Sequence, residues 1–83
     1  MSMVMIVVRF KPRAAAKKVY EFTATVDGIL GPLGFIKVMP SVYLGPPAIG
    51  LENIIRTIER LTLAREVLSE IIFSRHVRRR QMR

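Results

Sequence analysis

The spacing of apolar residues changes several times along this chain. Met3 to Phe10 holds the run VMIVV between flanking Met and Arg, a continuous, largely β-branched stretch of strand length, the pattern of a strand buried on both faces. Lys11 and Pro12 end it, because proline cannot donate to a sheet ladder. Residues 13–30 fit two periods. As a helix, Ala15, Val19, Phe22, Val26 and Leu30 make one stripe, with Lys17 and Glu21 paired at i, i+4 on another face. As a strand over 19–26, Tyr20, Phe22, Ala24 and Val26 alternate with Glu21, Thr23, Thr25 and Asp27. Length and the run Ala14 to Ala16 favour the helix, β-branching from Val19 onward favours the strand, and both stay open.

From residue 28 to 47, glycines 28, 31, 34 and 45 and prolines 32, 40, 46 and 47 punctuate an apolar stretch whose only charge is Lys37. This predicts a turn, an extended piece over 35–44, and a second turn. Pro40 makes that piece an edge or bulged strand. The apolar 28–50 segment is either a hairpin arm over its own core or a surface that docks a neighbouring protein or a second copy. The docking reading assigns Phe35, Ile36, Val38, Val42, Tyr43 and Leu44 to a protein interface.

Residues 51–77 contain no Gly or Pro, and Leu51, Ile54, Ile55, Ile58, Leu61, Leu68, Ile71 and Ile72 recur at helical spacing. The expectation is one long C-terminal helix, a rod of about 40 Å at 1.5 Å per residue, long enough to project or pair. Arg65 falls where the stripe would continue, so the apolar face drifts. The architecture expected is α+β: a small sheet with strands near 3–10 and 35–44, joined by 19–26 if that segment is extended, packed on the helix. The domain would span 1–74, with 75–83 a basic extension continuing the helix.

With 83 residues and 51% hydrophobic composition, the chain has apolar material for one core and does not read as disordered. The absence of cysteine excludes a disulfide framework and thiolate metal sites. Cysteine is absent and Asn and Gln each occur once, a depletion found in proteins of hot environments. The longest stretch without Lys, Arg, His, Asp or Glu, 38–51, is too short and too proline-rich for a membrane helix, and the N-terminus lacks the pattern of a signal peptide. A cytoplasmic setting is expected, with a virion or the mitochondrial matrix as alternatives.

Charge adds the main functional signal. The formal net charge is +8, and ten of the 14 basic residues are Arg, whose guanidinium grips phosphate oxygens bidentately. Five bases and no acid lie between Arg9 and Lys18 (Arg9, Lys11, Arg13, Lys17, Lys18), and five Arg and no acid between Arg75 and Arg83 (Arg75, Arg78, Arg79, Arg80, Arg83). The remainder is slightly acidic, so the whole surplus sits in two clusters. Localised positive charge predicts salt-sensitive contacts to phosphates with little sequence preference.

Signals for catalysis are weak. His76, the sole histidine, lies in the Arg run and reads as a further donor to a polyanion rather than a general base. Glu52 and Glu59 have Arg56 and Arg60 within helical reach. No metal-ligand cluster, catalytic carboxylate pair or activated nucleophile emerges, and no cofactor is implied. The Gly28–Gly31 and Gly31–Gly34 spacings match the backbone clamp of a KH domain, but their apolar surroundings favour turns, and the aromatics do not form the paired motif of an RRM sheet.

The opening VVRFKP, Val7 to Pro12, followed by a possible helix, is similar to the start of small thioredoxin-like proteins of the mitochondrial ribosomal large subunit. The likeness covers about a third of the chain. The β-hairpin that follows in that family is not matched by the proline-rich segment, so the assignment is not adopted. The expectation is a non-enzymatic, nucleic-acid-binding structural component of a ribonucleoprotein, ribosome-associated and favouring RNA over DNA. The alternatives are a homo-oligomeric DNA-packaging or capsid-type nucleoprotein and an accessory subunit of a membrane complex.

Overall fold

In the computed structural model, which describes residues 2–78, the elements follow in the order β1 (Ser2–Phe10), α1 (Ala16–Leu30), β2 (Ile36–Met39), β3 (Val42–Gly45), α2 (Leu51–Glu59), α3 (Thr62–Val67) and β4 (Leu68–Arg78), with a 3-10 turn at Gly31–Leu33. The sheet order is β2-β3-β1-β4, and every neighbouring pair is antiparallel. Two β-α-β units sharing one sheet, with β1 and β3 inside, make the split βαβ arrangement of ferredoxin-like folds. The expected α+β class holds, and β1 occupies the central position its unbroken apolar run requires.

Of segment 13–30, residues 16–30 are helix and 13–15 belong to the loop before it. Phe22, Val26 and Leu30 are buried while Tyr20 is 77% exposed, so the fourfold spacing governs and the alternation does not. Gly34, at φ 93°, follows the 3-10 turn and redirects the chain into β2, a backbone geometry that glycine adopts without steric cost. Gly28 lies inside α1 and Gly31 opens the turn, so neither GxxG spacing forms a loop between helices.

The extended piece expected over 35–44 is two short strands. Pro40 and Ser41 form the tip of a β2–β3 hairpin, Ser41 at φ 71°, matching a type II turn with proline first and a left-handed residue second. A register shift between Lys37 and Met39 bulges β2, so the edge character expected from Pro40 is present.

The single helix expected over 51–77 is corrected. α2 stops at Glu59, where the Arg60 N–H bonds back to the Arg56 and Thr57 carbonyls. Leu61 is extended (φ −61°, ψ 141°) before α3 begins, and 68–78 is strand, so 75–78 do not continue a helix. The drift of the stripe at Arg65 marks this break, which no Gly or Pro announces. The cause of β4 is long-range: β3 covers β1 only from Val4 to Val7, and a central strand needs partners on both edges. β4 supplies them from Ser2↔Arg78 to Phe10↔Leu68. Ile71 and Phe73 pack against the core while Ile72 is 44% exposed, a period of two.

The helices cover one sheet face. Val4, Ile6 and Val8 of β1 are buried there with Tyr43, Phe22, Val26, Leu30, Ile55 and Val67, and Phe10 meets Phe22 edge-on with centroids 6.2 Å apart. Gly45, opposite Val4, is small of necessity: a Cβ there would lie 2.5 Å from the Phe35 ring. Among the described residues no helix lies over the other face, which carries Met5, Val7, Val42 and Leu44.

Candidate nucleic-acid interface

The end of β1, the loop that follows and the start of α1 bring Arg9, Lys11, Arg13, Lys17 and Lys18 into one corner, all exposed. The loop is held by the Lys11 N–H donating to the Val67 carbonyl at 2.8 Å and the Ala14 N–H donating to the Lys11 carbonyl at 3.1 Å. Lys11 Nζ donates to the Arg65 carbonyl at 2.6 Å, in the last turn of α3 where unpaired carbonyls favour a cation. The structure thus adds Arg65 to the corner, together with two acids. Arg9 Nη1 lies 3.2 Å from Glu70 Oε2, and Lys18 Nζ pairs with Glu66 Oε1.

Lys18 is raised above the ordinary lysine value by its hydrogen bond to Glu66, then by the charges of Glu66 and Glu21. Six cations face three carboxylates (Glu21, Glu66, Glu70), so the corner keeps about half of its charge, and Arg13 and Lys17 make no ion pair among the described residues. Reading 51–77 as one helix hid Glu66, Glu70 and Arg65. Antiparallel pairing of the last apolar run with the first would have placed Glu70 opposite Arg9.

Two residues of the second cluster lie toward the far end of the same strand pair. Arg75 and Arg78 belong to β4, with Arg78 opposite Ser2; Arg79, Arg80 and Arg83 lie outside the described residues. From Ser2, opposite Arg78, to Arg9 is seven steps of about 3.4 Å, or roughly 24 Å along β1.

Of the residues expected at a protein interface, Phe35 and Tyr43 are instead core residues, 6% and 3% exposed. Gly45 leaves room for the Phe35 ring, and Tyr43 alternates toward the helices. Ile36 and Val38 are exposed, and Val42 and Leu44 are half-buried on the helix-free face. The Tyr43 hydroxyl donates to Asp27 Oδ1 at 2.6 Å, and Lys37 Nζ donates to Asp27 Oδ2 at 2.9 Å. Burial, then the bond to Asp27 and its charge, push the Tyr43 hydroxyl above the usual tyrosine range. Desolvation opposes ionisation of Asp27, but the bonds from Tyr43 and Lys37 outweigh it and hold the carboxyl below its usual value. Both carboxylate oxygens are engaged, and the cluster ties α1 to the hairpin.

Among the described residues no group of His, Asp and Glu could hold a metal ion, and no helix is long and apolar enough to cross a membrane. No protein-family model matches the chain, and no curated protein or solved structure matches it.

Proposed function

We propose that this protein is a non-enzymatic RNA-binding structural component of a ribonucleoprotein, ribosome-associated, that contacts phosphates through the basic corner and the C-terminal Arg run. The observation that supports the reading is placement: Arg9, Lys11, Arg13, Lys17 and Lys18 gather at one corner, and Arg75 and Arg78 lie on β4 toward the other end of the strand pair. Such an arrangement supports backbone contacts that fix position without reading bases. The helix-free face supports the second reading, a homo-oligomeric nucleoprotein packaging DNA.

Titration of RNA against increasing salt tests the proposal. Each phosphate contact on a single strand contributes about 0.7 to the slope of log affinity against log salt, so replacing Arg75, Arg78, Arg79, Arg80 and Arg83 by Gln lowers the slope by up to about 3. Arg13→Gln with Lys17→Gln lowers it by about 1. Unchanged affinity and slope in the five-Arg variant overturns the reading, and tighter binding to duplex DNA than to RNA favours packaging.

A further inference from the structure

The aromatic side chains of this chain, four Phe and two Tyr, divide unequally. Phe22, Phe35 and Tyr43 are buried, and Phe10 and Phe73 pack against the core. Tyr20 alone stands in solvent, 77% exposed on α1. Its ring borders a groove of about 430 Å³ between α1 and the edge strand β2, lined also by Ala16, Val19, Thr23, Asp27 and Lys37. A second hollow of about 530 Å³ shares Val19, Thr23 and Lys37 and continues the groove along β2 to the hairpin tip at Pro40 and Ser41. Each volume falls within the range of about 300 to 1,000 Å³ found for ligand sites.

Charge is graded along this groove. Lys17 lies one turn before Tyr20 on the same side of the helix, and Arg13 stands in the loop three residues before Ala16. Neither makes an ion pair among the described residues, and the charge of Glu21 acts on Lys18. Deeper in the groove, Asp27 has both carboxylate oxygens engaged, by Tyr43 and Lys37, so its charge is compensated. Lys37 keeps ammonium donors to spare. The groove therefore offers free cations at one end, an exposed aromatic ring beside them and hydrogen-bond donors beyond. An acidic peptide or a lipid headgroup matches the cations alone, whereas a nucleotide joins a phosphate to a flat ring and a polar edge.

We infer that the groove between α1 and β2 holds an unpaired nucleotide of a single-stranded RNA, its base stacked on Tyr20 and its phosphate on Lys17 and Arg13. The donors of Lys37 meet ribose or base oxygens. This inference rests on the RNA reading and extends it from phosphate contact to strandedness. Inside a duplex each base is covered by its neighbours, so only an unpaired base can present its face to the ring. Stacking tolerates any sequence, and because it releases no counterions it leaves the salt slope unchanged.

Fluorescence anisotropy of labelled oligouridine and of an RNA duplex of equal length, titrated with the full chain, tests it. Tyr20→Ala should weaken oligouridine binding about 5- to 150-fold, the worth of one stacked base, with the salt slope and duplex binding unchanged. Tyr20→Phe, which keeps the ring, should retain wild-type affinity. The chain has no tryptophan, so its intrinsic emission comes from tyrosine. Oligouridine should quench that emission in the wild type, and the quench should vanish in Tyr20→Phe although the variant still binds. Wild-type affinity of Tyr20→Ala for oligouridine, or an equal loss for oligouridine and duplex, overturns the inference while the RNA reading stands on its salt dependence. Equal losses in the Ala and Phe variants also overturn it, and a wild-type protein that binds neither RNA overturns both.

Discussion

The two faces of β1 are made of the same kind of side chain and meet different surroundings. Val4, Ile6 and Val8 are 1%, 1% and 4% exposed beneath the helices, while Met5 and Val7, one residue away, lie on the face no helix covers. Hydrophobicity alone assigned both sets to a core. Which set is buried depends on where α1, α2 and α3 fall, and that follows from the β-α-β crossovers packing on one side. Truncation should separate the faces sharply. Ile6→Ala or Phe22→Ala costs about 3 to 5 kcal/mol in urea unfolding, because a fully enclosed site cannot collapse around the void. Val7→Ala, measured on the monomer, costs about 1 kcal/mol or less. Equal losses on the two faces would break the comparison.

Adding atoms probes the same contrast from the other direction. Gly45 turns toward the helices, and a methyl there would stand 2.5 to 2.8 Å from three atoms of the Phe35 ring. Gly45→Ala should therefore destabilise by about 1 to 3 kcal/mol through overpacking. Its neighbour Leu44 faces outward, so Leu44→Ala should leave the monomer within about 1 kcal/mol of wild type. Unfolding midpoints of the pair, read at one protein concentration, check the ordering.

How much of this was legible in the sequence follows from which forces were local. β1 declared itself because its largely β-branched run is apolar on both sides and its boundary is a proline. α1 was readable as one of two options, and the tertiary contacts of Phe22, Val26 and Leu30 decided between them. β4 was not readable, since Leu68, Ile71 and Ile72 satisfy helical spacing as well as they satisfy pairing with β1. Only the unpaired edge of a distant strand distinguishes the two, and local periodicity does not see it. The basic corner was found from charge counting, yet Glu66, Glu70 and Arg65 reach it only through β4. The outer face of the sheet was hidden for the same reason, as it exists only once four strands are side by side.

Electrostatics at the edge of the covered face gives a smaller effect with a defined sign. Asp27 is held below its usual value in the fold by Tyr43 and Lys37, so its contribution is present above the unfolded value of about 3.9 and is lost as pH falls through the lower folded value. The Asp27 and Lys37 side chains are 42% and 38% exposed, and solvent screening limits the gain to under about 1 kcal/mol. Asp27→Asn should remove that increment at neutral pH and flatten the stability profile below about pH 4. Tyr43, raised in the fold, acts in the opposite direction: stability is lost as pH climbs above about 10. An Asp27→Asn protein whose acid transition matches wild type would show that the cluster does not couple α1 to the hairpin.

The smallest effect concerns the turn that sets β3 beside β1. Ser41 is the single non-glycine residue with positive φ among the described residues, at 71°, and its carbonyl accepts the Val8 N–H at 2.9 Å, anchoring the hairpin tip to the strand that has both faces to serve. An L-residue in the left-handed region carries a strain of about 1 kcal/mol or more, partly offset by the extra backbone freedom that glycine has in the unfolded chain. Ser41→Gly keeps the carbonyl and the Pro40 turn, so it should raise stability by a few tenths to about 1 kcal/mol. Ser41→Val, which a β-branched side chain makes worse at positive φ, should lower stability and loosen β3. Because β3 contributes Tyr43 to the covered face, the Val variant should weaken core packing as well as the turn. A Val variant as stable as wild type in urea unfolding would show that the hairpin tip does not hold β3 beside β1.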